Sequence, residues 1–173
     1  MFTRQISSAA PIFLLMYVIQ ESVVSQFRLP GGGLSILLIF ALTWAVLSET
    51  EVAAVIGFAA GFLMDLSQSA AGPFGQWTLI MLLAGYAISY IGYGDDNVRA
   101  NAIGIIFFVV IANLLVEIAY VASGALLGVS SGSIIQVIIT LFGMSMWALL
   151  VSPLLLPIFS RLHGLIFDSR SAL

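Results

Sequence analysis

Five side chains capable of chemistry fall inside apolar runs of this sequence: Gln20, Glu21, Asp65, Asn113 and Glu117. Polar and ionisable groups are costly at bilayer depth, so each needs a reason to be there. Two carboxylates on facing helices would suit intramembrane acid–base work, but an aspartyl protease needs paired aspartates and only Asp65 lies at that depth. The single histidine, His163, lies near the C-terminus, where the sequence reads it as an interfacial residue. No histidine–carboxylate metal motif or serine–histidine pair is therefore expected within the apolar runs. Gly31-Gly32-Gly33 lacks the lysine and strand context of a phosphate-binding loop. Asp95-Asp96 stands without a repeated acidic motif or basic cluster and reads as a loop that caps the following helix. These observations point away from an enzyme, and no cofactor or metal is expected.

The elements that must position these groups are hydrophobic helices. The 173 residues are 61% hydrophobic and 8% charged, with mean hydropathy +1.17. An ordinary soluble domain is about 25% charged. The class expected is all-α: a polytopic membrane protein, one integral domain over residues 1–173. A span takes roughly 20 apolar residues. Six candidates follow, at about 9–27, 34–47, 50–66, 74–93, 101–127 and 133–151, with a short interfacial segment at 158–170. The second is short for a full crossing. Pro11 suits the first turn of the first helix, where a missing N–H costs little. Ser48-Glu49-Thr50-Glu51 fits a capping box opening the third. Pro153 and Pro157 should kink or interrupt the chain after the sixth.

Orientation rests on five arginines, since there are no lysines. An internal N-terminus places Arg4, Arg99, Arg161 and Arg170 inside and Arg28 outside, so both termini are expected in the cytoplasm. Glu21, Asp65 and Glu117 then fall in the outer half of the bilayer. With Gln20 and Asn113, and with Arg28 as the nearest cation, they form an expected polar cluster. Asn113 and Glu117, four apart, share a helix face and can bond each other or a neighbouring helix. The first run is not read as a signal peptide, because Gln20 and Glu21 interrupt it. With no basic excess there is no basis for nucleic-acid binding. With no cysteine there is no disulfide or thiolate site.

Gly57, Gly61 and Asp65 are spaced by four and share one helix face. Small residues at this spacing let helix backbones approach closely. The face is read as internal packing, with a partner helix as the alternative. Around it, Gly57-Phe58-Ala59-Ala60-Gly61-Phe62-Leu63-Met64-Asp65-Leu66 resembles the MreD family, rod shape-determining membrane proteins of bacteria. The resemblance continues through a polar turn at Ser67–Ala71, Gly75, an aliphatic helix over Trp77–Leu83 and Gly85-Tyr86. Glu117 matches an acidic position in that family's fifth helix. The motif covers about a fifth of the chain, and hydropathy alone agrees elsewhere.

The resemblance implies a six-helix bundle similar to the substrate-binding S components of energy-coupling-factor transporters, in the bacterial inner membrane. It implies a non-enzymatic component of the cell-elongation machinery that binds MreC. Through MreC it would reach MreB, RodA and a class B penicillin-binding protein, supporting control of cell shape and peptidoglycan synthesis. A homo-oligomer is left open. The C-terminal segment carries only Arg161 and Arg170, so a contact needing strong basicity there is not expected. The alternative is an S-component-like subunit binding a small vitamin for uptake, in a pocket near the outer face.

Overall fold

The computed structural model describes residues 2–27, 29–67, 72–93, 101–129 and 132–167. Among them are six α-helices and no strand: α1 (Phe2–Ser22), α2 (Ile36–Leu47), α3 (Thr50–Asp65), α4 (Gln76–Tyr93), α5 (Ala102–Leu126) and α6 (Ile134–Phe167), with a 3-10 turn at Val24–Gln26. Three stretches are long and apolar enough to cross a membrane: Ser8–Gln26, Ala102–Leu126 and Ile134–Ile166. The outer surface is apolar to match, with Leu126, Ile134, Phe142 and Leu165 each at least 75% exposed.

The short second helix is the centre of the bundle. Ten of its 12 residues are buried. At about 1.5 Å per residue it is only ~18 Å long, but it contacts α1, α3, α4, α5 and α6 along that length. A helix apolar all round is one surrounded by protein, and ILLIFALTWAVL has no polar face. Its aromatic residues build the core. Phe40 packs against Trp44, Phe13 and Phe159 with ring centroids 4.5–5.0 Å apart. Trp44 lies edge-on to His163 and its indole N–H donates to the Phe159 carbonyl at 3.0 Å.

A helix start inside protein must find partners for its amides. Ser35 accepts the Leu38 N–H through its hydroxyl, and its carbonyl takes Ile39 N–H. Gln20 supplies a further acceptor: its Oε1 takes Ile36 N–H at 2.8 Å while its Nε2 donates to Leu34 O.

Several local expectations are corrected. α1 begins at Phe2, so Pro11 sits mid-helix rather than in the first turn, and the polar residues ahead of it take the same helical course. No capping box forms at Ser48. Glu49 is the N-cap of α3 and makes no side-chain cap bond, while the Ser48 hydroxyl lies 2.9 Å from His163 Nε2 and its carbonyl accepts from Ser89. A partner 115 residues away has displaced the local one. Of the kink or interruption expected at Pro153 and Pro157, the interruption does not occur: α6 runs through both and absorbs most of the segment expected to lie apart at the interface. Each proline costs a backbone bond, but Leu156, Phe159 and His163 are buried on the far side and hold the helix against the core. His163 is accordingly a core residue rather than an interfacial one. α5 ends in a Schellman turn: Val129 N–H bonds Gly124 O, Gly128 N–H bonds Ala125 O, and Gly128 takes φ +81°.

The loop from α1 to α2 does more than break a helix. Gly31, Gly32 and Gly33 all take positive φ. A Cβ on Gly31 would meet the Gly143 backbone, and one on Gly143 would meet Gly31 in turn. Trp147 fastens the same loop to α6, its indole N–H donating to Pro30 O at 3.0 Å.

Candidate functional site

The motif residues of α3 and α4 form a seam between antiparallel helices. A Cβ on Gly57 would sit on the Met81 carbonyl, one on Gly61 on the Trp77 carbonyl, and one on Gly85 on the Ala53 carbonyl. These three pairs step one turn at a time along both helices, so the backbones touch where side chains would otherwise stand. Contacts this close replace side-chain packing with dispersion and weak Cα–H···O bonds. The stripe is therefore covered by α4.

Asp65 closes the end of the seam. Its carboxylate accepts Trp77 N–H at 3.1 Å, Thr78 N–H at 2.9 Å and the Thr78 hydroxyl at 2.5 Å. A carboxylate on the first-turn amides of a helix satisfies orphan donors and complements the dipole. Gly75, with φ +95°, makes the turn that aims those amides at it. Across the turn Tyr17 donates to Leu66 O at 3.3 Å. The aromatic residues of the motif point the other way. Phe58 is about half exposed and stacks beside Phe62, and Tyr86 stacks beside Tyr90.

The expected polar cluster divides in the same way. Gln20 is engaged at the start of α2 and Asp65 at the start of α4. Asn113 is buried one turn from Glu117, and no hydrogen bond joins the two. Arg28, Asp95, Asp96, Arg99 and Arg170 lie outside the described residues, as does the Arg4 side chain. Gln20, Glu21 and Glu117 remain together, lining a cavity of about 470 Å³ at one end of the bundle. Glu21 accepts the Ser67 hydroxyl at 2.5 Å. Glu117 is 5% exposed and no described group bonds to it.

The rest of the cavity wall was not anticipated from sequence. Gln76 is buried, and its Nε2 donates to Tyr120 O at 2.8 Å and Ser123 Oγ at 2.7 Å, while its Oε1 is buried without a partner. Trp77 and Tyr120 stack with centroids 4.1 Å apart at 15°. Glu117, Tyr120, Val121 and Gly124 all line it, which is one stripe of α5. That stripe, with a glutamate and a tyrosine three apart, was the available signal.

A second concavity is different in kind. A groove of about 490 Å³ runs along the outside between α4 and α5, lined by Ile80, Leu83, Ile91, Phe108, Ile111 and Leu115 among other apolar residues. Among the described residues, fold and site together define a helical bundle with an apolar exterior, a cavity with polar groups at one end and an apolar groove between α4 and α5. No protein-family model, curated protein or solved structure matches the chain.

Proposed function

We propose that this protein is an MreD-like scaffold: a non-enzymatic, multi-pass component of the bacterial inner membrane that holds the single membrane helix of an MreC-like partner. Six helices cross the bilayer in this reading, with both termini in the cytoplasm and the polar cavity toward the outside. The observation that carries it is the division of labour within the motif. Its glycines and Asp65 are engaged between α3 and α4, so that hairpin is a rigid frame. A surface that a partner helix fits is the apolar groove between α4 and α5. A membrane helix binds such a groove by van der Waals packing, since lipid offers no hydrophobic driving force. Control of cell shape and peptidoglycan synthesis would follow through the partner's contacts with MreB, RodA and the penicillin-binding protein.

The test is site-directed cross-linking from each helix to a co-expressed MreC-like protein, combined with depletion. Probes at Leu83 and Ile111 should capture the partner, probes at the buried Gly57 should not, and depleted cells should round up. Depletion that leaves rods intact would refute the scaffold reading. The internal cavity favours a second reading, an S-component-like subunit for vitamin uptake. That subunit should couple to ATPase partners, and its loss should abolish uptake while leaving shape unchanged.

A further inference from the structure

We infer that the internal cavity is a binding site for a small organic cation, an ammonium or amidinium carried on a planar or aromatic body. The inference rests on neither functional reading, since a scaffold or a carrier can hold such a ligand.

Three observations point to this ligand class. The first is the charge of the lining. Glu21 and Glu117 are its ionisable carboxylates, and no arginine, lysine or histidine is among the described residues around it. The described ionisable groups of the lining would repel an anion. The second is Glu117 itself, more than nine-tenths buried, lining the cavity, with neither hydrogen bond nor ion pair to any described residue. A buried carboxyl group without a partner is costly in either protonation state. Every other acid that the sequence placed in the cluster has found a donor: Asp65 on α4 and Glu21 on Ser67. A ligand N–H is the donor that the described residues do not supply to Glu117. The third is the wall beside it, where Trp77 and Tyr120 stack. Aromatic faces attract cations and give a flat body something to pack on.

Size and donor set argue against a bare metal ion. Among the described residues no three histidine, cysteine or acidic side chains come together to hold one. About 470 Å³ lies within the range of small-molecule sites, roughly 300–1,000 Å³. The remaining wall, with Leu34, Leu37, Met64 and Leu141, is apolar. It would accept the body of the molecule and leave its charged end to Glu117.

The experiment uses the full chain in lipid nanodiscs and three probes that share one ring and differ in charge. Tyramine is cationic, tyrosol neutral and 4-hydroxyphenylacetate anionic. Tryptophan fluorescence and thermal unfolding are followed against probe concentration. Tyramine should change the fluorescence and raise the unfolding temperature saturably, and the other two should not. Glu117→Gln, which keeps shape and removes charge, should weaken the tyramine response roughly tenfold or more. If Glu117→Gln does not fold, Glu21→Gln carries the same comparison, because glutamine still accepts from Ser67. The inference is overturned if no probe binds or all three bind alike. It is equally overturned if the folded glutamine variant responds to tyramine as the parent does.

Discussion

Gly57→Ala sets two well-measured effects against each other. In an exposed helix interior, alanine is favoured over glycine by about 1 kcal/mol. At Gly57 the added methyl would overlap the Met81 carbonyl, with the Met81 carbonyl carbon only 2.8 Å away. Backbone cannot rotate aside as a side chain can, so α3 and α4 must part. Overpacking of this kind costs about 1–3 kcal/mol. Parting also loosens the Gly61–Trp77 and Ala53–Gly85 approaches on either side and pulls the α4 amides from Asp65, where each hydrogen bond contributes about 1 kcal/mol net. The clash wins, and the net loss should be about 2 kcal/mol. Gly92→Ala is the control, because it lies on α4 and its new methyl would meet only Phe108 and Val46, at 3.8–4.0 Å. There the propensity gain stands alone and stability should hold or rise by up to about 1 kcal/mol. Thermal unfolding in one detergent, followed by tryptophan fluorescence, reads both. At about 2–4 °C per kcal/mol for a chain of this size, Gly57→Ala should melt about 4–8 °C below the parent and Gly92→Ala at or above it. Equal shifts, or a Gly57→Ala protein as stable as the parent, would refute the close-approach argument.

Substitutions at three further positions separate the roles of Asp65, Gln20 and His163. Asp65→Ala removes three accepted hydrogen bonds and should cost about 2–3 kcal/mol by unfolding, whereas Asp65→Asn, which keeps one acceptor oxygen, should recover about half of that. Gln20→Leu strips Ile36 N–H of its acceptor at the half-buried start of α2; folded yield should fall and stability should drop by about 1–3 kcal/mol, read as a lower melting temperature. His163→Ala opens a hole beside Trp44 and removes the Ser48 contact. It should cost about 2–4 kcal/mol, while a silent substitution would mean that the end of α6 does not pack on the core.

What could be read from the sequence was what local chemistry decides. Hydropathy located the six helices because apolar runs and polar breaks are summed over many residues. The Gly57/Gly61/Asp65 face was legible because spacing by four is itself geometry: three positions on one stripe meet one neighbour. What was not legible depended on distant partners. Ser48 looks like an N-cap beside Glu51, but His163 takes its hydroxyl from 115 residues away. Pro153 and Pro157 look like a stop, but packing of Phe159 on Phe40 carries the helix onward. At these positions tertiary contacts outweigh the local preference. The shortness of α2 was legible in the sequence, but its central place was not, although a uniformly apolar helix is one that others surround.

The same distinction sorts the intramembrane polar residues. A side chain whose groups are all paired has its presence explained by the fold, and Gln20 and Asp65 are of that kind: each satisfies the open amides of a helix start. Removing either should damage the bundle whatever the protein does. Glu117 bonds to no described residue of the bundle, yet it occupies a buried position on α5 where an apolar side chain such as leucine would carry no desolvation cost. Stability alone would therefore favour its loss, and Glu117→Leu should yield a protein at least as stable as the parent. A rise in melting temperature together with loss of tyramine binding would show that Glu117 serves the ligand at the expense of the fold. A large fall in melting temperature would show instead that its partner lies within the protein.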